Sequence, residues 1–64
     1  MAVKTLIAKN PKQLDICLKL LYRHRIQRIV ELTEVKRKIV YEIHAIADEQ
    51  TLIALEETYR ILIS

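Results

Sequence analysis

The chain has 64 residues, of which 52% are hydrophobic and 30% are charged, and its net charge is +3. Such a chain forms one domain, residues 1–64, near the lower size at which a core is stable without disulfides or metal. Its hydrophobic content excludes disorder, its single cysteine excludes an intramolecular disulfide, and its lack of glycine excludes the glycine-rich phosphate loops.

The first predicted elements are a strand over Val3 to Lys9 and a helix that begins at Pro11. The strand is short and rich in β-branched residues, and the Asn10-Pro11 pair ends it. Proline suits the first position of a helix, and asparagine suits its N-cap. Apolar residues then recur at the helical period: Leu14, Cys17, Leu18 and Leu21. The basic residues 23–25 end this helix, where cations meet the negative end of the helix dipole.

Two alternating runs follow and predict a β-hairpin. In the first run, Ile26 to Leu32, one side carries Ile26, Val30 and Leu32, and the other side, which faces away from the predicted helices, carries Gln27, Ile29 and Glu31. The polar segment Thr33 to Lys38 connects it to a second alternating run over residues 39–46. Because this connection contains no glycine, the sequence leaves its turn type open.

Asp48 predicts the N-cap of a second helix, with Glu49 in its first turn. The predicted core stripe of this helix is Leu52, Leu55, Tyr59 and Leu62. An alternative is one continuous helix over Ile39 to Ile63. The strand-like alternation before Asp48 and the cap itself favour a strand followed by a separate helix.

The resulting order, β–α–β–β–α, predicts an α+β fold of two layers. It corresponds to the first five elements of a split β–α–β plan, an incomplete ferredoxin-like fold. Right-handed connections place the third strand between the other two, in a three-stranded antiparallel sheet with both helices on one face. The fourth strand of that plan is missing or reduced to Ile61 to Ser64.

Two stretches, TLIAKNPKQLDICLKLLYRHRI and IVYEIHAIADEQTLIALEETYRIL, cover nearly the whole chain. Their pattern resembles that of small bacterial signal-transducing domains whose fold is related to the PII regulators. Such domains commonly have glycine before the isoleucine that opens the second strand, where this chain has Arg25. The resemblance implies a regulatory or ligand-sensing role, and it supplies no catalytic residues.

The predicted topology separates the basic residues into two groups. The first, residues 23–28, lies at one end of the sheet beside Asp48 and Glu49, which we expect to neutralise it. The second lies at the other end, around the start of the first helix, where free N–H groups favour an anion or a nucleotide. The anion-binding candidates are Lys9, Asn10, Lys12, Lys36, Arg37 and Lys38, and Arg60 is expected nearby. The alternative is a solvated hairpin tip with ordinary surface lysines.

The sheet face away from the helices is predicted to be apolar. The candidate dimer-interface residues on it are Val3, Ile7, Ile29, Val40 and Ile46. In the other register of the first strand, Leu6 and Ala8 take the outward positions. Soluble monomers rarely expose such a patch, and the unpaired edge of the first strand also recruits partners. The sequence therefore predicts a homodimer or higher homo-oligomer, formed by sheet face or by strand edge.

No nucleophile, base and orienting residue can be assembled from the sequence, and His44 is interpreted as a structural or interface histidine. Cys17, His24 and His44 lack metal-ligand spacing. We therefore expect a non-enzymatic regulatory or protein-interaction module without metal or cofactor, which binds itself and, in second place, another protein. The alternative is a nucleic-acid-binding accessory protein that uses the basic hairpin tip. With no apolar run of about 18 residues and no signal peptide, we expect a cytoplasmic protein without a membrane partner.

Overall fold

The computed structural model describes the whole chain, Met1–Ser64, and confirms the predicted α+β fold. The elements are β1 Ala2–Ala8, α1 Pro11–Arg23, β2 Gln27–Val35, β3 Lys38–Ala47 and α2 Glu49–Ile63. The strands lie in the order β1-β3-β2, and both neighbouring pairs are antiparallel. The last residues belong to α2, so no fourth strand forms. Neither helix is long and apolar enough to cross a lipid bilayer.

Both predicted helix caps are confirmed. The Asn10 side chain accepts a hydrogen bond from the backbone N–H of Gln13 at 2.9 Å, just before Pro11 opens α1. The Asp48 side chain accepts from the backbone N–H of Thr51 at 3.1 Å and also from the Thr51 hydroxyl. These carboxylate and amide oxygens satisfy N–H groups that the start of a helix leaves without a partner.

The core lies between the two helices and one face of the sheet. Its largest fully buried side chains are Leu21, Ile43 and Cys17. The other members of this core are Leu6, Ala8, Leu20, Ile26, Ala45, Leu52, Leu55 and Tyr59. Leu62, predicted in the α2 stripe, is exposed, and Ile63 packs against the core instead. A helical stripe continues at i+4 as well as at i+3, and here the i+4 position of Tyr59, Ile63, is the half-buried one.

The ladder between β1 and β3 assigns each side chain to a face. Leu6 opposes Ile43, so both face the helices, whereas Val3 opposes Ile46 on the other side of the sheet. We call that uncovered side the open face. The alternative register, with Leu6 and Ala8 outside, is wrong because both residues are buried.

Lys36 and Arg37 form a two-residue turn between β2 and β3. Val35 pairs directly with Lys38, so most of the predicted polar connection belongs to the strands. Both turn residues have positive φ, 50° and 65°, which is the combination of a type I′ turn. Asn-Gly is the usual pair in this turn, because a Cβ atom is crowded in the left-handed region.

The end of α1 also holds a non-glycine residue in the left-handed region. Arg25 has φ 55° and follows the C-cap residue His24. The N–H of Arg25 donates to the carbonyl of Tyr22, and the N–H of Ile26 donates to the carbonyl of Leu21, each at 3.0 Å. These two bonds define a Schellman motif, whose left-handed position is normally glycine. Arg25 therefore occupies the glycine position noted in the resembling domains.

Candidate interaction surface

The open face carries the five predicted interface residues in two groups. The strand registers place Val3, Ile29 and Ile46 toward one end and Ile7 and Val40 toward the hairpin end. Val3 and Ile29 are 63% and 57% exposed, whereas Val40 is only 9% exposed. A row of polar side chains crosses the sheet between the two groups. The apolar patch expected from the sequence is therefore interrupted.

The polar row joins one residue from each strand. His44 Nδ1 lies 2.9 Å from Thr5 Oγ1, and His44 Nε2 lies 2.8 Å from Glu31 Oε1. A neutral imidazole with its proton on Nε2 donates to the carboxylate and accepts from the hydroxyl. Sequence reasoning missed this set because the residues are far apart in the chain. Only the register, in which Thr5 opposes His44, brings them together.

A hydroxyl, an imidazole and a carboxylate in this order resemble the nucleophile, base and orienting group of a hydrolytic site. Such a site also needs donors for a developing oxyanion. Both helices lie on the opposite face of the sheet, so neither helix N-terminus faces the Thr5 hydroxyl. The row is better suited to fixing the three strands relative to one another.

Strand β2 is the least covered element of the fold. Among its nine residues only Thr33 is half-buried, and the others are exposed. On the helix side, Val30 and Leu32 are 40% and 66% exposed, because the helices pack against each other, β1 and β3. Ile29 and Val35 are exposed on the open face. Sequence periodicity assigned Val30 and Leu32 to the helix side but could not reveal that no helix covers them.

Helix α2 forms a hydrogen bond and an ion pair with β1, the first edge strand. The Tyr59 hydroxyl donates to the carbonyl of Ile7 at 2.8 Å. Lys4 Nζ lies 3.3 Å from a carboxylate oxygen of Glu56, which also pairs with Arg60 at 3.7 Å. A lysine and a covering helix are two common protections of an edge strand. Of the two edge strands, β2 therefore has less contact with the helices, although β1 also has exposed residues.

Three of the six predicted anion-binding residues line one groove on the open face. Lys9, Lys36 and Lys38 lie around a groove of about 610 Å³ at the hairpin end. Its apolar lining consists of Ile7, Val35 and Val40. Glu42 is its one acidic lining residue, and the three lysines form no ion pairs. The groove is therefore positively charged, although Arg37 does not line it.

The other two anion candidates, Asn10 and Lys12, lie outside this groove. The Asn10 side chain is engaged as the helix cap, and the Gln13 side chain in turn accepts the N–H of Lys9 at 2.9 Å. Pro11 has no N–H to offer. The start of α1 thus satisfies much of its own hydrogen-bonding capacity, and it offers an anion less than the sequence suggested.

The second basic group forms a separate pocket of about 510 Å³, which we call the arginine pocket. It is lined by Tyr22, Arg23, Arg25 and Arg28. The expected neutralisation of this group by Asp48 and Glu49 is wrong, because neither acidic residue forms an ion pair with an arginine. Asp48 is engaged as the cap of α2 instead. The arginine pocket therefore has three cations without an acidic partner.

Three groups have shifted pKa values, and all three lie in or beside the helices. Burial raises the pKa of the Cys17 thiol to about 11, against a smaller opposing effect of the Arg28 charge. Hydrogen bonds from Thr51 lower the pKa of Asp48, and burial raises the pKa of Tyr59. Cys17 is therefore a neutral, unreactive thiol at ordinary pH. These shifts follow from core packing and capping.

Comparison of the chain with known protein families, with curated proteins and with solved structures finds no match. The resemblance to the domains related to PII regulators therefore stays a prediction. The exposed β2 edge and the two basic groups are the candidate interaction surfaces of this chain.

Proposed function

We propose that this protein is a small non-enzymatic regulatory or protein-interaction module that acts as a homodimer through its β2 edge. One observation carries the proposal. Strand β2 has an unpaired outer edge and exposes apolar side chains on both faces, whereas β1 is bonded to α2 through Tyr59 and Glu56. Two-fold pairing of β2 with β2 of a second copy joins both sheets into one and satisfies the free backbone groups.

The sequence of β2 is self-complementary around Glu31. With the two-fold axis at Glu31, Arg28 opposes the partner's Glu34, and Val30 opposes the partner's Leu32. All nine residues of the strand then take part. Opposite charges and apolar pairs across antiparallel strands stabilise a sheet. With the two-fold axis at Leu32 instead, Val30 opposes the partner's Glu34, and fewer residues of the two β2 strands pair.

The two copies of Glu31 meet at the axis, and like charges in that position destabilise pairing. Each Glu31 is held by its own His44 at 2.8 Å, which limits but does not remove the repulsion. The substitution Glu31→Gln keeps an acceptor for His44 and removes the charge. We therefore expect it to tighten the dimer.

The position of the polar row supports a role without catalysis. Thr5 lies on the open face, outside the groove at the hairpin end. A reacting group there would have no enclosing walls to exclude water and no helix dipole to stabilise negative charge. A binding role requires neither feature.

Sedimentation equilibrium tests the proposed dimer directly. We expect a dimer mass at high micromolar concentration in about 0.15 M salt, where exposed charges are screened beyond about 8 Å. Leu32→Lys is expected to give a monomer, because it places a cation against the partner's Val30. Val3→Lys is the matched control on the open face and should remain dimeric. The reverse pattern would indicate face-to-face assembly, and a persistent monomer of the unmodified chain would refute the proposal.

A charge exchange tests the register. Arg28→Glu is expected to weaken the dimer about tenfold, because the introduced carboxylate of each copy then lies against the partner's Glu34. Adding Glu34→Arg restores the opposite-charge pairs and should recover the dimer. Lys19→Glu, an equal charge change on the exposed side of α1, should leave the dimer constant unaltered. Failure of the double exchange to recover dimerisation contradicts the register.

A further inference from the structure

Within one copy, the two basic groups lie at opposite ends of β2. Eight residues separate Arg28 from Lys36, which at about 3.3 Å per residue amounts to roughly 25 Å. Neither the arginine pocket nor the hairpin turn has an acidic partner. No small ligand can contact both groups in a single copy.

The proposed β2 pairing brings the two groups together. With Glu31 on the axis, Gln27 opposes Val35 of the partner subunit. The next two residues of that partner strand are Lys36 and Arg37, which then lie beside the loop that holds Arg25. Two such composite clusters form in each dimer. The partner's Glu34 lies against Arg28, and the remaining cations of each cluster repel one another unless an anion lies between them.

We propose that the arginine pocket, completed by the partner's Lys36 and Arg37, binds a phosphate-bearing ligand, and that this ligand strengthens the dimer. The inference rests on the proposed β2 pairing. An arginine side chain binds phosphate through two parallel N–H donors. The pocket contains three arginines, and Arg23 and Arg25 stay without a carboxylate partner when Arg28 opposes the partner's Glu34. The exposed ring of Tyr22 offers a surface on which a base can stack.

The backbone provides an independent observation. The structure has three residues with positive φ, and they are Arg25, Lys36 and Arg37. All three are basic, and all three belong to the composite cluster. Glycine or asparagine would relieve the strain at each position. Non-glycine residues in this strained region cost free energy, and they cluster at active sites and ligand-binding sites.

Sedimentation equilibrium with and without pyrophosphate, at constant ionic strength, tests the proposal. We expect saturating pyrophosphate to lower the dimer dissociation constant about tenfold, within the usual range of coupling between two binding events. In ¹H–¹⁵N spectra, the signals of residues 22–28 and of residues 36–37 should shift together. ATP with a larger effect than pyrophosphate identifies a nucleotide as the source of the phosphate, and an equal effect identifies a free polyphosphate.

Arg37→Gln is the decisive variant. Within one copy, Arg37 is far from the arginine pocket. It can therefore contact pyrophosphate bound at residues 22–28 only when those residues belong to the partner subunit. We expect pyrophosphate affinity to fall about three- to tenfold. Lys12→Gln, a basic residue at the same end of the sheet but outside the cluster, is the matched control and should change nothing.

The outcomes separate this inference from the proposed function. A dimer that forms without pyrophosphate and does not respond to it overturns the composite site and leaves the β2 dimer intact. A monomer with and without pyrophosphate overturns both. If pyrophosphate has no effect and an oligonucleotide binds monomer and dimer alike, the proposal fails in favour of a nucleic-acid surface.

Discussion

β1 and β2 are the two edge strands of the sheet and both pair with β3, yet they differ in what covers them. Leu6 on β1 is 5% exposed beneath the helices, whereas Leu32 on β2, also on the helix side, is 66% exposed. The two helices cover only part of the sheet. Alternation in a sequence thus identifies the face on which a side chain lies, but not whether another element packs against it.

The backbone differs between these regions as well. Both helices begin at a favourable cap, Asn10 or Asp48. By contrast, every residue with positive φ flanks β2: Arg25 precedes the strand, and Lys36 and Arg37 follow it. The part of the molecule that forms the core therefore has low-strain geometry, and the strain is concentrated at the ends of the exposed edge strand. The proposed β2 interface thus lies between the strained positions.

The largest expected difference between the covered core and the exposed strand β2 is in the cost of an alanine substitution. Ile43→Ala removes a fully buried side chain and should lower the free energy of unfolding by about 2–5 kcal/mol. Leu32→Ala removes an exposed side chain. When the protein is dilute and monomeric, this substitution should change the free energy of unfolding by no more than about 0.5 kcal/mol. Urea unfolding at low micromolar concentration measures both values.

Protein concentration provides the control for this pair. The cost of Leu32→Ala should grow when unfolding is repeated at high concentration, because the dimer then contributes to stability. The cost of Ile43→Ala should be large at both concentrations. An equally large effect of Leu32→Ala in the dilute monomer would mean that β2 is covered in solution.

Alkaline pH should weaken the covered region through Cys17. Its folded pKa of about 11 exceeds the ordinary value of 9.0. Between these pH values the unfolded chain loses the thiol proton while the folded chain keeps it, so stability is complete below pH 9 and falls as pH rises toward 11. A shift of two units corresponds to about 2–3 kcal/mol. Urea unfolding from pH 8 to 11 should show this fall.

Cys17→Ala should flatten that dependence, although it lowers stability at every pH by leaving a small cavity. Burial also raises the pKa of Tyr59, so this residue contributes to the fall in the same direction. Tyr59→Phe should therefore leave the contribution of Cys17 in place. A slope that Cys17→Ala does not change would show that the thiol is accessible to solvent.

The sequence predicted those parts of the fold that depend on local signals. The helical period and the caps at Asn10 and Asp48 are such signals, and the structure confirms them. The turn at Lys36 and Arg37 was not predictable, because neither residue type favours positive φ and no glycine marks the site. The contact of Thr5 with His44 depends on strand register. The sequence left that register open, because β1 has apolar residues at positions of both faces.

Removing the backbone strain at Lys36 and Arg37 should stabilise the protein, by a smaller free energy than the buried substitutions above cost. Each non-glycine residue in the left-handed region costs roughly 1–2 kcal/mol. Lys36→Asn with Arg37→Gly supplies the usual type I′ pair, and we expect a gain of about 1–2 kcal/mol in urea unfolding. Lys36→Ala with Arg37→Ala removes the same two charges but keeps the strain. A gain in the alanine variant would assign the effect to charge repulsion.

The smallest effect is expected at the other end of β2. Arg25→Gly removes the crowding of Cβ in the Schellman motif, but glycine also gains freedom in the unfolded chain, which offsets part of the benefit. The expected net gain is about 0.5–1 kcal/mol in urea unfolding. Arg25→Ala is the control, because it removes a cation next to Arg23 and Arg28 without relieving the backbone. If alanine stabilises the protein as much as glycine does, crowded positive charge rather than strain is the cost at this position. The contrast between a low-strain core and a strained edge would then apply only to the hairpin end of β2.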